Sequence, residues 1–345
     1  MDSMIFWTLV VDGVVNGTIY ALLAIGLVLV FVVTRVILLP QGVYVSFAAL
    51  TLSQFQRGNV PGTVGLLLAL GLAAFVIDLL RLRSRVTRAW LIRRVASDLA
   101  LPAIMYALVT WLVPLRPNMA VQIVLTLALI TPLGPYLYRL AFQPLEQASV
   151  LTLLIASVGV YIALTVLGLV FFGPEGFMAN PLSAEQFEAG GVMISGQSAI
   201  IVAVSLVMMV LLWLIFDRTL IGKAMRAVAV NRVGARLVGI PISLAGEITF
   251  ALASFIGAVS GVLIAPVTMV YYDTGFLIGL IGFVAAIIGG MGSYPLAVSG
   301  AIFVGLLQSF AAFWNSNYQQ VVVFTTLIPI LVLRSLRAPA VEEDE

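Results

Sequence analysis

A few polar side chains interrupt the long apolar runs of this chain: Asn16, Tyr20, Gln41, Ser157, Glu247, Ser254, Gln308 and Ser309. Burying such groups in hydrocarbon costs on the order of 1–3 kcal/mol each, so each is a candidate for contact with a solute or for hydrogen bonding between helices. Asn16, Tyr20, Gln41, Ser157 and Ser254 are the pathway candidates, although serines in such helices commonly serve packing. Glu247 suits an ion pair with a loop arginine. A second set is basic. Residues 222–241, "GKAMRAVAVNRVGARLVGIP", hold Lys223, Arg226, Arg232 and Arg236 without an acid. Covalent and metal chemistry find little here. There is no His and no Cys, so imidazole catalysis and thiolate or imidazole metal sites are excluded. No G-x-x-x-x-G-K-[ST] is present, and "GGMGSYP" (289–295) has neither the strand nor the lysine of a phosphate loop. No catalytic residue, cofactor, metal or nucleic-acid partner is expected.

The elements that must position these groups are membrane helices. The chain has 345 residues, 62% apolar and 9% charged, with a mean hydropathy of +1.17. Soluble domains are about a quarter charged, so the main solvent here is lipid. Runs of about 20 apolar residues, the length of a span, give roughly eleven helical segments: 4–34, 38–56, 62–80, 97–114, 118–138, 150–172, 192–216, 242–270, 276–291, 295–314 and 319–336. The first is read as a retained helix, since no basic residue precedes Arg35. The segments 38–56 and 276–291 are short and flanked by Gly or Pro, as half-helices are. The expected fold is all-α: a polytopic membrane bundle of about 9–11 helices, including short half-helices. Placing the N-terminus outside and the C-terminus inside leaves only Arg57 and Arg116 outside among 17 basic residues.

Segment 217–241 then lies in the cytoplasm. Gly222 opens the basic run and Gly239-Ile240-Pro241 closes it. Ala227, Asn231, Ala235 and Gly239 recur every four residues, which predicts one small face on one helix. Two readings stand: a loop resting on anionic lipid headgroups, or a docking helix for a soluble partner. Asp78 and Asp98 flank a cluster of arginines (Arg81, Arg83, Arg85, Arg88, Arg93, Arg94) and are expected to pair with it at the surface. Trp7, Trp111, Trp314, Tyr271, Tyr272 and Tyr318 fall near span ends, as an interfacial belt does.

With its flanks the basic segment resembles the cytoplasmic coupling loop of ABC-importer permeases of the branched-chain amino acid family. That loop reads Gly-x-Ala-x-Arg-Ala, then Asn, Ala and Gly-Ile at four-residue steps. Gly222, Ala224, Arg226, Ala227, Asn231, Ala235, Gly239 and Ile240 occupy those places. "GTIYALLAIGLVLVF" (17–31), "RLAFQPLEQASVLTLLIASVGV" (139–160) and "AAIIGGMGSYPLAVSGAIFVGLLQSF" (285–310) resemble further family segments, in the family's order. Two features depart from the pattern. In "LLPQGV", Leu38 and Val43 stand where the family usually has Asn and often Glu. Residues 62–117 look like an inserted helical hairpin with a basic cytoplasmic loop.

The resemblance implies one transmembrane permease domain, 1–338, an acidic cytoplasmic tail, 339–345, and a bacterial cytoplasmic (inner) membrane location. It implies cytoplasmic ABC ATPase subunits as partners, a second permease subunit that is a different homologous chain, and an extracytoplasmic solute-binding protein. It implies that Gly222, Arg226, Ala227, Asn231, Ala235 and Gly239 couple the permease to the ATPase. The expected cargo is a small neutral or zwitterionic solute, a branched-chain or other apolar amino acid, with urea or short amides as the alternative. An ion-coupled secondary transporter is the rival class, disfavoured by the few intramembrane acids.

Overall fold

The computed structural model describes residues 3–81, 95–189 and 192–337. The arginines Arg83, Arg85, Arg88, Arg93 and Arg94 and the acidic tail lie outside them. Among the described residues nine helices are long and apolar enough to cross a membrane. They belong to a helical bundle, as composition predicts.

Five helices form the centre: α1 (Ser3–Thr34), α2 (Gln41–Gln56), α11 (Ile242–Ile264), α12 (Gly275–Gly289) and α13 (Tyr294–Trp314). α1 is apolar on every side and 89% buried over its span, the mark of a helix surrounded by protein. It packs most closely on α13, where a Cβ on Gly305 would come 2.5 Å from the Gly17 Cα. Glycine lets the two backbones touch. Around this centre lie α7 (Val150–Phe172), α8 (Gly196–Arg218) and α14 (Gln319–Arg337). They are only 22%, 28% and 6% buried over their spans, so their apolar faces are left for lipid or another subunit.

Three spans differ from the hydropathy reading, each for a local reason. Segment 118–138 divides into α5 (Met119–Ile130) and α6 (Leu133–Leu137) at Pro132, which lacks an N–H. Segment 242–270 stops at Ile264, two residues before Pro266. Segment 192–216 begins as a strand, because the Ser195 hydroxyl accepts from the Ser198 N–H and starts α8 there. That strand, β2 (Val192–Ser195), pairs antiparallel with β1 (Gln186–Ala189), with Gln186 opposite Ser195. This small hairpin is an addition to the all-α expectation.

In segment 62–117 the described residues form α3 (Thr63–Arg81), a π-helical turn Val95–Ala100 and α4 (Leu101–Leu112). Its outer face carries exposed Leu72, Val76, Leu80, Ile104 and Trp111. Its inner end corrects the expectation for Asp78 and Asp98. Both are turned inward rather than lying at the surface, and both grip Arg139, in the turn after α6. The Arg139 Nη1 donates to Asp98 Oδ1 at 2.7 Å and Nη2 to Asp98 Oδ2 at 2.8 Å, while Asp78 takes a further bond. The Asp98 and Arg139 side chains are 1% and 7% exposed. A buried carboxylate needs a fixed partner, and the guanidinium fork supplies one with two-point geometry.

Candidate translocation pathway and coupling surface

After α1 ends at Thr34, Arg35 adopts a left-handed conformation (φ 61°) and turns the chain back into the bundle. Val36 and Leu38 are buried on this return. The Leu39 N–H donates both to the Ile37 carbonyl (3.0 Å) in a tight turn and to the Ser157 hydroxyl (3.0 Å) on α7. α2 therefore begins deep in the protein. Gln41 Nε2 fills the space beside Gly26 of α1, 2.7 Å from where its Cβ would be, and donates to the Ala253 carbonyl (3.0 Å) halfway along α11. Eight residues separate Gly26 from the end of α1, a depth of about 12 Å at 1.5 Å per residue. α12 also starts inside. Its Gly275 meets Gly42, where a Cβ on Gly42 would overlap the Gly275 carbonyl oxygen. Both short helices are thus interior half-helices. Irregular backbone at that depth is tolerated where protein or a cavity surrounds it.

The polar candidates sort by what they touch. Ser254 donates to the Thr131 carbonyl at 2.7 Å. In a continuous helix that carbonyl would accept from residue 135, but Pro135 has no N–H, so Ser254 completes a broken backbone. Ser157 likewise serves the backbone at Leu39. Gln41 is fully buried, and its Oε1 has no partner. These three surround the start of α2. Tyr20 lies elsewhere: its hydroxyl donates to Gln308 Oε1 (2.5 Å) between α1 and α13. Asn16 is half-buried one turn before it, and Ser309 donates to the Leu9 carbonyl. Glu247 is half-buried in the first turns of α11. Two residues that sequence reading passed over join Gln41 on α2. The Tyr44 hydroxyl and Ser46 Oγ are sealed from solvent and without a partner. Their polarity in "QGVYVSFAAL" was the available signal.

The basic segment forms a hook of two helices, α9 (Leu220–Val230) and α10 (Arg232–Leu237), which corrects the single four-residue-step face. Asn231 is extended (φ −151°, ψ 103°), and its Oδ1 accepts from the Gly234 N–H (2.9 Å). An Asn that caps a new helix competes with continuing the old one. α10 ends in a Schellman motif. Ile240 N–H donates to the Ala235 carbonyl and Gly239 N–H to the Arg236 carbonyl, with Gly239 at φ +86°. The small residues divide: Gly222 and Ala235 are buried against the chain's own helices, with Met225 and Val228, Ala227 is half-buried, and Asn231 and Gly239 are exposed. Exposed with them are the larger Val230 (88%), Val233 (71%), Leu237 (82%) and Val238 (75%).

The hook's basic residues divide. Arg226 makes an exposed pair with Asp217 at 3.3 Å. Arg232 turns inward. Its Nη2 donates to the Val33 carbonyl (2.9 Å) in the last turn of α1, and Nη1 donates to the Glu146 carbonyl (3.4 Å). Burial lowers the Arg232 pKa, while the nearby Glu146 raises it and Arg35 lowers it. A groove of about 210 Å³ lies alongside, lined by Glu146, Gln147, Arg232, Val233, Arg236 and Ile242.

An apolar bundle with interior half-helices and a tethered cytoplasmic-type hook defines a multi-pass membrane permease. The profile of the family described as "Branched-chain amino acid transport system / permease component" matches residues 95–331. The chain is 30% identical over 220 residues to the high-affinity branched-chain amino acid transport system permease protein BraD of Pseudomonas aeruginosa, covering 61% of this chain and 72% of that one. It is 30% identical over 205 residues to the permease protein LivH of Salmonella typhimurium, covering 56% and 66%. To LivH of Escherichia coli K12 it is 29% identical over 202 residues, again covering 56% and 66%. These alignments span about two thirds of the LivH proteins' own length. No solved structure matches. The chain belongs to the branched-chain amino acid transport permease family and is a multi-pass protein of the cytoplasmic membrane.

Proposed function

We propose that this chain is the permease subunit of an ABC importer for small neutral or zwitterionic solutes, with branched-chain and other apolar amino acids as cargo. The N-terminus lies outside and the C-terminus inside; residues 1–338 form the permease and 217–241 the coupling segment. ATP is hydrolysed on a separate cytoplasmic subunit. A second, homologous permease chain and an extracytoplasmic solute-binding protein complete the assembly.

The observation that carries this reading is the hook. Four large apolar side chains, Val230, Val233, Leu237 and Val238, stand exposed on a short helical element whose other face is fixed to the spans. A loop resting on headgroups needs only its charges, whereas a rigid apolar row fits a groove in a folded partner. Nucleotide-driven motion of that partner would then reorient the spans, provided its states differ in affinity for the permease's conformations.

The test is copurification in mild detergent from the native membrane. A P-loop ATPase is expected with the wild type and lost from Val233→Asp/Leu237→Asp, whose exposed positions leave the bundle intact. Equal recovery with both forms, or no ATPase with the wild type, overturns the reading.

A further inference from the structure

Ser46 differs from most of the buried helical hydroxyls, sharing its lack of a partner with Tyr44 on the same helix and Ser205 on α8. Ser53 bonds back to the Ala49 carbonyl, Ser260 to Ile256, Thr249 to Ala245 and Thr126 to Gln122, each four residues earlier. This is the usual way for a hydroxyl to be satisfied inside a helix. Ser46 makes no such bond, is 0% exposed, and has no partner. It is aimed at the first residue of α12, with Oγ 2.4 Å from the Cβ position that Gly275 lacks.

What lies there is unusual electrostatically. Moving along α12 from Gly275 to Gly279, the neighbours on α2 run back from Ser46 to Gly42. The two half-helices are therefore antiparallel, with their first turns side by side. Each N-terminus carries about half a positive charge. Neither Pro40 nor Thr274 caps its helix with a side-chain hydrogen bond. Two like partial charges thus face each other in the interior, beside an unpaired hydroxyl. Asp273, just before α12, is exposed. The closest part of the contact is backbone on backbone, through Gly42, Gly275 and Gly279.

Resting on the functional reading above, we infer that this seam is where the transported molecule's carboxylate binds when α2 and α12 part. The anion lies between the two helix N-termini, and Ser46 Oγ donates a hydrogen bond to it. The seam thereby selects α-amino acids over their carboxamides, which have the same shape but lack the anion.

The experiment compares leucine with leucinamide as cargo for the assembled transporter in proteoliposomes, wild type beside Ser46→Ala. The wild type is expected to prefer leucine. Ser46→Ala is expected to raise the leucine KM about tenfold with kcat nearly unchanged, and to move the leucine-to-leucinamide ratio toward one. The Tm of the unloaded complex should hold or rise, because an unpaired buried hydroxyl is removed. Unchanged KM and ratio in Ser46→Ala, or a fall in Tm with the ratio intact, overturns the inference and leaves the permease standing. So does wild-type uptake driven by ATP that favours leucinamide. Absence of any ATP-driven uptake by the wild type fails the functional reading itself and the inference with it.

Discussion

The anchor of α3 and α4 and the seam between α2 and α12 are both buried polar places, built on opposite rules. At the anchor, Arg139 satisfies Asp98 at two points and Asp78 at a third, and the cluster locks α3 and α4 to the turn after α6. At the seam, glycine backbones meet, two helix N-termini lie together, and Ser46 has no partner. Compensated charge in a low-dielectric interior resists separation. Unpaired polar groups across a smooth contact favour it, once something polar can enter. The first arrangement suits a fixed part, the second a part that opens.

Mutations sharpen this contrast. Arg139→Ala removes the guanidinium that grips Asp98 and Asp78, and loss of one partner of a buried pair costs about 3–5 kcal/mol. The expected result is poor membrane yield and a large drop in Tm; a Tm near the wild-type value would break the idea of a fixed anchor. Gly42→Val sets side-chain atoms where the Gly275 carbonyl now sits. It should abolish uptake while the detergent-purified protein stays monodisperse, since the seam is one of many contacts of α2. Uptake preserved in Gly42→Val would remove the seam from the pathway. Gly239→Val places a β-branched residue at φ +86°, with no clash nearby, so the penalty is purely backbone, at about 1–2 kcal/mol. ATPase recovery in pull-down should fall severalfold. Arg226→Ala removes a pair exposed on both sides and should leave both Tm and ATPase recovery within error.

Much of this was legible in the chain. The spans follow from hydropathy, and the half-helix character of 38–56 and 276–291 follows from their length and flanking Gly and Pro. Gln41 stood out because a carboxamide inside an apolar run must find partners. Other features were hidden for physical reasons. Arg139, which grips Asp78 and Asp98, is distant from both in sequence, and only tertiary packing brings it to them. The four-residue spacing of Ala227, Asn231, Ala235 and Gly239 fits one continuous helix, and the capping bond from Gly234 to Asn231 overrode it. Ser46 was hidden because a mid-helix serine normally satisfies itself, which is what Ser53 does.

Arg232 joins the hook to the bundle at an informative point. It holds the Val33 carbonyl one residue before α1 ends, and from there the chain turns at Arg35 and runs straight to the start of α2. Displacing the hook therefore pulls on the same short stretch that sets the position of the seam. Such a linkage works in both directions, because a coupling free energy between two binding sites is reciprocal. A solute that wedges the seam apart must change the grip of any protein on the hook by the same factor that this protein changes the grip on the solute. The hook is then a sensor of cargo as much as a handle for moving it.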